Sequence, residues 1–275
     1  MKAINQINNI PLHYARLTSH PYGTKGKQRD FLVEENFLKI LKNAFKEVFD
    51  NCPLGKPEIM TTAGIFVNKV GQHGRGKAFD LDAIFWNDET LVTLNFVHQK
   101  ELYLGIESFL RKHFGIVLNH FYPNHKDHWH IDTSVPVDYN ENSKSETLYL
   151  QLVLKHIYGK EILVDGIWGR QTSGIVNKVF KRLNIKTPIT TKRNYLEFLD
   201  ITGTIAFKLY EKKTTPLQLL DNLNDVIEDL PLTNRNMVQE ALNSFIDNDD
   251  TAQWLNTFDS EFHGDIDTII DTVLS

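Results

Sequence analysis

The chain has one cysteine, Cys52, in 275 residues. That excludes an intramolecular disulfide framework and any cysteine-rich zinc site, so a metal would have to be held by His, Asp and Glu. No stretch approaches the ~20 consecutive apolar residues of a membrane span. There is no basic excess either: 30 Lys+Arg against 35 Asp+Glu give a formal net charge of −5. Broad binding to nucleic-acid phosphates is therefore not expected. The N-terminal stretch MKAINQINNIPLHYARL lacks the apolar core and small-residue cleavage site of a secretory signal. The expectation is synthesis in the cytoplasm, with any target outside reached by a route other than an ordinary signal peptide.

Histidine, by contrast, is plentiful at 11, and 41% hydrophobic with 11% aromatic residues is ordinary for a globular chain. The length allows one large domain or two to three small ones. Residues 1–30 are polar and turn-rich, with Pro11, Pro21, Gly23 and Gly26, and read as an irregular arm. From Phe31 to Phe49, Phe37, Leu38, Leu41, Ala44, Phe45 and Val48 recur at helical spacing, ended by Asn51-Cys52-Pro53. Ala78–Trp86 and Leu91–Val97 read as strands, Glu101–Phe114 as a helix, and Ile116–Leu118 and Trp129–Ile131 as short strands. Without a βαβ rhythm this mixture predicts an α+β fold with a small mixed or antiparallel sheet.

The polar run Asp138–Glu146 reads as a linker. Leu148–Ile157 and Thr172–Leu183 then form two short helices around the loop Val164–Gly169, and everything after Pro188 reads as helical. That includes helices through Ile205, Ala206 and Leu209 and through Met237, Val238, Ala241, Leu242, Phe245 and Ile246. The expected organisation is three parts: 1–138, 145–188 and 190–275. The last carries no functional motif, and a delivery or immunity partner for it is unknown.

Two clusters carry chemistry. One is Gly71-Gln-His73-Gly-Arg-Gly-Lys-Ala-Phe-Asp80-Leu-Asp82; the other is His125-Lys-Asp127-His128-Trp-His130-Ile-Asp132. A hydrolytic zinc centre needs three protein ligands and one open position. The glycines between His73 and Asp80 permit a tight turn that would bring both side chains to one ion. On a strand, His128 and His130 face the same way, so one could bind metal while the other sits beside it. By the same alternation Asp127 points away from them unless a turn intervenes. Spacing alone leaves a metal site and a surface cluster both open.

His73-x6-Asp80 followed by His-x-His resembles the peptidase superfamily typified by lysostaphin, D-alanyl-D-alanine dipeptidase and the hedgehog signalling domain. Gly76-Lys-Ala-Phe-Asp80 has the form usual there. More narrowly, Val117-Leu118 followed by His125-Lys-Asp-His-Trp-His-Ile-Asp132 resembles the bacterial extensin-like C-terminal family, over roughly residues 31–135. The resemblance implies zinc held by His73, Asp80 and His130. It departs at Gly71, where many members carry serine. Dipeptidase-type members use a glutamate at the position of Asp127 as base; lysostaphin-type members use the first His of His-x-His, here His128. His128 is preferred, because an imidazole can both take and give a proton near neutrality. His125 is expected to orient the site from behind the ligands.

A second resemblance covers about residues 145–185. Leu150-Gln151, Asp165-Gly-Ile-Trp-Gly169-Arg-Gln-Thr172 and the following apolar helix are similar to the small three-helix peptidoglycan-binding domain. Asp165 is read as accepting hydrogen bonds from amides of its own turn, and Trp168 as packed more than displayed. Together the resemblances imply a zinc-dependent peptidoglycan hydrolase cutting a peptide bond in the stem peptide or cross-bridge, acting on the wall as a phage lysin or a secreted effector. The alternatives are a wall-binding adaptor with a structural zinc site, or a peptidoglycan amidase. No substrate-binding residue is identified.

Overall fold

A computed structural model describes the backbone of residues 1–228 and the side chains of residues 1–212. The described residues form an α+β fold around a mixed sheet. Its strands, with those of a small ribbon, are β1 Lys2–Ile4, β2 Gln6–Ile7, β3 Ile10–Tyr14, β4 Lys27–Gln28, β5 Phe31–Val33, β6 Ile59–Gly64, β7 Ala78–Phe85, β8 Thr90–Val92, β9 Ile116–Leu118 and β10 Trp129–Asp132. The helices are α1 Glu35–Asn51, α2 Lys100–Arg111, α3 Lys144–His156, α4 Arg170–Arg182 and α5 Lys192–Glu228. The sheet order is β2-β3-β6-β7-β10-β9, with β4 added to β3 and β8 to β7. β3 and β6 pair in parallel, while β7 is antiparallel to β6, β8 and β10. β1 and β5 pair apart from this sheet.

The amphipathic pattern of α1 is realised as read. Phe37, Leu38, Leu41, Ala44, Phe45, Val48 and Phe49 are buried, and the Glu34 carboxylate accepts the Phe37 N–H at 2.8 Å as the helix cap. That cap places the helix start after Phe31–Val33, which instead pairs with β1. Phe45 meets Phe79 of β7 edge to face, with ring centroids 5.6 Å apart. α1 therefore covers the Phe79 face of β7. Alternation along the strand sends Asp80 and Asp82 to the opposite face.

The buried ion pair of Glu107 and Arg111 anchors the loop between β9 and β10. Arg111 donates to Glu107 through Nε and Nη2, at 2.9 and 2.7 Å. The Asn119 amide and the Trp129 indole N–H donate to the same carboxylate at 3.0 and 3.4 Å. Asn119 follows β9 and Trp129 opens β10, so one carboxylate pins both ends of the segment that carries His125, Asp127 and His128. Trp129 also packs on Tyr103, at 4.0 Å between ring centroids.

Several expectations change. The N-terminal stretch is not an irregular arm: β3 lies inside the sheet, with Ile10 and Leu12 buried. Its apolar positions alternate over only a few residues between turns, too short a run to stand out in the sequence. Leu91–Val97 is strand only to Val92 and then a 3₁₀ turn over Thr93–His98. Thr93 and Phe96, both buried, are three residues apart, which is a helical spacing and not a strand one. Asp138–Glu146 is not a free linker either, since Tyr139 and Glu146 are buried and Ser143 caps α3.

Residues 1–207 form one compact unit, so the expected boundary near 138–145 is no break in packing. Ser145 Oγ donates to the Val117 carbonyl, Ser108 and Tyr149 hydroxyls lie 2.7 Å apart, and Phe109 stacks on Phe207. α3, α4 and the first part of α5 do pack as three helices, joined by Phe180 and Tyr158 against Phe198. Residues 208–275 form a second unit, whose described part is the continuation of α5 to Glu228. The helix read over residues 237–246 and the acidic run after it lie outside the described residues.

Removing one partner of a buried ion pair leaves an uncompensated charge. Glu107→Ala is expected to cost about 3–5 kcal/mol of stability, measured by urea unfolding. A loss below about 1 kcal/mol would mean that the Arg111 guanidinium finds its compensation elsewhere.

Candidate metal centre

The pairing of β7 with β10 builds the centre. In that antiparallel ladder His130 lies directly opposite Asp80, so the two side chains share a face. His130 Nδ1 is 2.8 Å from Asp80 Oδ1. His73 arrives from a 3₁₀ turn, His73–Arg75, which closes with the Gly76 N–H on the His73 carbonyl. The glycines are required there. A Cβ on Gly74 would sit 1.8 Å from the Lys69 carbonyl oxygen, and Gly76 has φ +67°. The turn brings His73 Nε2 to 3.1 Å from both Asp80 Oδ1 and His130 Nδ1. His73, Asp80 and His130 are thus placed together as a group able to hold a metal ion.

Each imidazole is oriented from behind. His73 Nδ1 donates to the Ile65 carbonyl at 2.8 Å, leaving Nε2 with its lone pair toward the centre. His130 Nε2 donates to Asp132 Oδ2 at 3.0 Å, and Asp132 Oδ1 in turn accepts from the Ser134 N–H and hydroxyl. Backbone carbonyl and carboxylate partners of this kind fix ring tautomers in metal sites. A tetrahedral ion with bonds of ~2.0–2.1 Å sets its ligand atoms roughly 3.3 Å apart. The observed spacing of 2.8–3.1 Å is close to that. The donor set and its orientation fit a metal.

His128 precedes β10 and stands beside the three. Its Nε2 is 3.8 Å from Asp80 Oδ1, and its Nδ1 is 2.8 Å from Asp127 Oδ1. A turn does intervene at Asp127: residues 126–127 form it, the strand begins only at Trp129, and so Asp127 does not point away. Asp127 Oδ2 accepts from Arg16 Nη1 at 2.7 Å. The same guanidinium donates through Nε and Nη2 to both oxygens of Asp82, at 2.9 and 2.8 Å. Asp82 is fully buried and shares the Asp80 face of β7. The ring of Tyr22 lies 5.4 Å from the Arg16 carbon. His125 is also brought in, its ring 4.9 Å from that of His128, but its hydrogen bond goes to the Pro123 carbonyl. It touches the site through ring packing, while the hydrogen bond behind a ligand is made by Asp132.

Arg16 was not assigned from the sequence. Asp80-Leu-Asp82 did carry a signal for Asp82, since residues two apart on a strand share a face. Arg16 carried none, lying 66 residues from Asp82 and 111 from Asp127.

The electrostatics favour a cation. Burial opposes charge on His130, yet its hydrogen bonds to Asp132 and Asp80 outweigh that and raise the ring to about 9. Burial likewise opposes ionisation of Asp80, but His130 and His73 hold it well below the ordinary carboxylate value. Asp127 and Asp132 are also lowered, against their burial, by His128 with Arg16 and by His130 with Ser134. Burial pushes Asp82 up to about 6 despite Arg16.

Comparison with family models, with curated proteins and with solved structures gave no match. Among the described residues, no helix is long and apolar enough to cross a membrane.

In the metal-free protein a proton on His130 sits where the ion would bind, so metal and proton compete for Nδ1. Binding releases that proton, and affinity must fall as pH falls through and below the raised value of about 9. The expected slope is about tenfold per pH unit between roughly pH 9 and pH 7, read by chelator competition. An affinity flat across that range would contradict the competition. His73→Ala is expected to lose stoichiometric metal in elemental analysis; full retention would remove His73 from the ligand set.

Proposed function

We propose that the chain is a zinc-dependent peptidoglycan hydrolase that cleaves a peptide bond in the stem peptide or cross-bridge. The observation that carries this reading is the Asp127–His128 pair standing beside three convergent metal-ligating atoms. A purely structural site has no need of such a pair. His73, Asp80 and His130 would hold the ion: two imidazoles and one carboxylate, with no thiolate, suit zinc and leave a position open. Zinc held there would supply a Lewis acid, able to acidify water and polarise a carbonyl.

The chain's own residues then handle the proton. With Nδ1–H donating to Asp127, His128 presents a bare Nε2 on the side of Asp80. That nitrogen takes the proton of the attacking water and returns it to the departing amine. Asp127 holds the ring in this tautomer and stabilises its charged form, the role of the carboxylate in a nucleophile–base–orienter triad.

Substrate class rests on the resemblance of the two clusters to wall peptidases and of residues 145–188 to a peptidoglycan-binding domain. Within that segment, the buried Gln151 accepts the Asp165 and Gly166 N–H groups and donates to Asp165, Ile167 and Thr172. The Asp165 carboxylate accepts the Ile167 N–H. These residues build the loop, and wall contact would fall to what the loop displays, including Leu163 and Ile167, both 66% exposed. The reading places the protein at the bacterial wall.

Digestion of purified sacculi, counted as newly freed amino groups, tests the chemistry. His128→Ala should keep its zinc and lose about 10²–10⁴-fold in rate, with Asp127→Asn milder at about 10–100-fold. If Asp127→Asn abolishes turnover while His128→Ala leaves it largely intact, Asp127 is the base. The full-length His128→Ala protein should also co-sediment with sacculi; its remaining in the supernatant would leave α3 and α4 a structural support only.

A further inference from the structure

The Arg16–Asp82 pair lies outside the three ligands and outside the proton-transfer pair, yet it is joined to the site by hydrogen bonds through every nitrogen of the guanidinium. Arg16 uses three of its nitrogens. Nε and Nη2 grip both oxygens of Asp82 at 2.9 and 2.8 Å, and Nη1 reaches Asp127 Oδ2 at 2.7 Å. A guanidinium is a rigid planar fork, so fixing two nitrogens on a buried carboxylate fixes the direction of the third. Asp82 is immobile because it is fully buried within β7, and its carbonyl is further tied by the Thr93 hydroxyl at 3.0 Å. Tyr22 lies against the guanidinium and is held by its own contacts to Thr93 and Leu94.

Asp127 has the opposite character. It lies in a turn, and its side chain is 37% exposed. Left to itself such a carboxylate would move among rotamers and exchange His128 for water. Here each oxygen has one fixed partner: Oδ1 faces His128 Nδ1 at 2.8 Å, and Oδ2 faces Arg16.

We propose that Arg16, locked by Asp82, is a positioning residue that holds Asp127 against His128 and so sets the imidazole tautomer with Nε2 free. The chain Asp82–Arg16–Asp127–His128 carries order from the sheet into the turn that bears Asp127. This rests on the hydrolase reading only for its kinetic consequence; the tautomer itself is independent of any substrate.

Arg16→Ala alone strands the buried Asp82 charge and can unfold the protein, so the informative variant removes both charges: Arg16→Met with Asp82→Asn. That double variant should bind zinc at wild-type stoichiometry. Long-range proton–nitrogen spectroscopy of the zinc-loaded protein should show His128 of the wild type protonated at Nδ1 and bare at Nε2. In the double variant the two forms should mix. Turnover on sacculi should fall about 10–100-fold in kcat, as is usual when a supporting partner is removed, with KM little changed. In a folded Arg16→Ala, added guanidinium should restore part of the rate. An unmixed Nδ1–H tautomer in the zinc-loaded double variant would overturn the proposal, as would unaltered kcat. If the wild type frees no amino groups at all, the hydrolase reading fails and the His128 spectrum alone decides the positioning role.

Discussion

The antiparallel register of β7 with β10 governs the site. Because His130 stands opposite Asp80, the two reach one point without any loop having to be ordered for it. The same register puts Trp129 on the other face, against Tyr103 and Glu107, where burial holds the strand in place. A shift of one residue would send His130 into the core and Trp129 toward the metal face, so the hydrophobic pattern that fixes the strand also fixes the chemistry. His73 is then the only ligand that depends on a turn, and the glycines at 74 and 76 permit that turn.

Charge is the second constraint. Asp80, Asp82, Asp127 and Asp132 crowd one side of the sheet, with Arg16 the fixed cation among them. Like charges at this density are tolerated only beside compensating positive charge. Arg16 serves Asp82 and Asp127; the remaining pair, Asp80 and Asp132, flanks His130 and draws a proton onto it when no metal is bound. A divalent ion in place of that proton would be held by Asp80, His130 Nδ1 and the His73 Nε2 lone pair, with Asp132 still accepting the N–H of His130 Nε2. The surrounding charges thus favour a cation at this point.

Much of this was legible in the sequence. The α+β class, α1, α2, β7, β9 and β10 follow from apolar spacing, whereas the grouping of His73, Asp80 and His130 comes from the family resemblance of the two clusters, since their spacing alone leaves a metal site and a surface cluster both open. Features set by distant partners were not legible. β3 is too short to show a period, and Arg16 meets its carboxylates only once β3, β6 and β7 are paired. Thr93–His98 has strand-forming composition but turns because Thr93 is drawn to the Asp82 carbonyl and Phe96 to Tyr103. The run 138–146 is polar in composition yet buries Tyr139 and Glu146, since tertiary packing overrides local polarity.

We propose that this centre cuts a peptide bond of the wall polymer. Mass spectrometry of muropeptides after digestion of sacculi with the zinc-loaded protein tests it most directly. The account predicts sugar-linked stem peptides shortened or separated at one defined peptide bond, and none of these products with Asp80→Ala. Intact stem peptides freed whole from the sugar would instead identify an amidase. A digest indistinguishable from the Asp80→Ala control would contradict hydrolysis altogether.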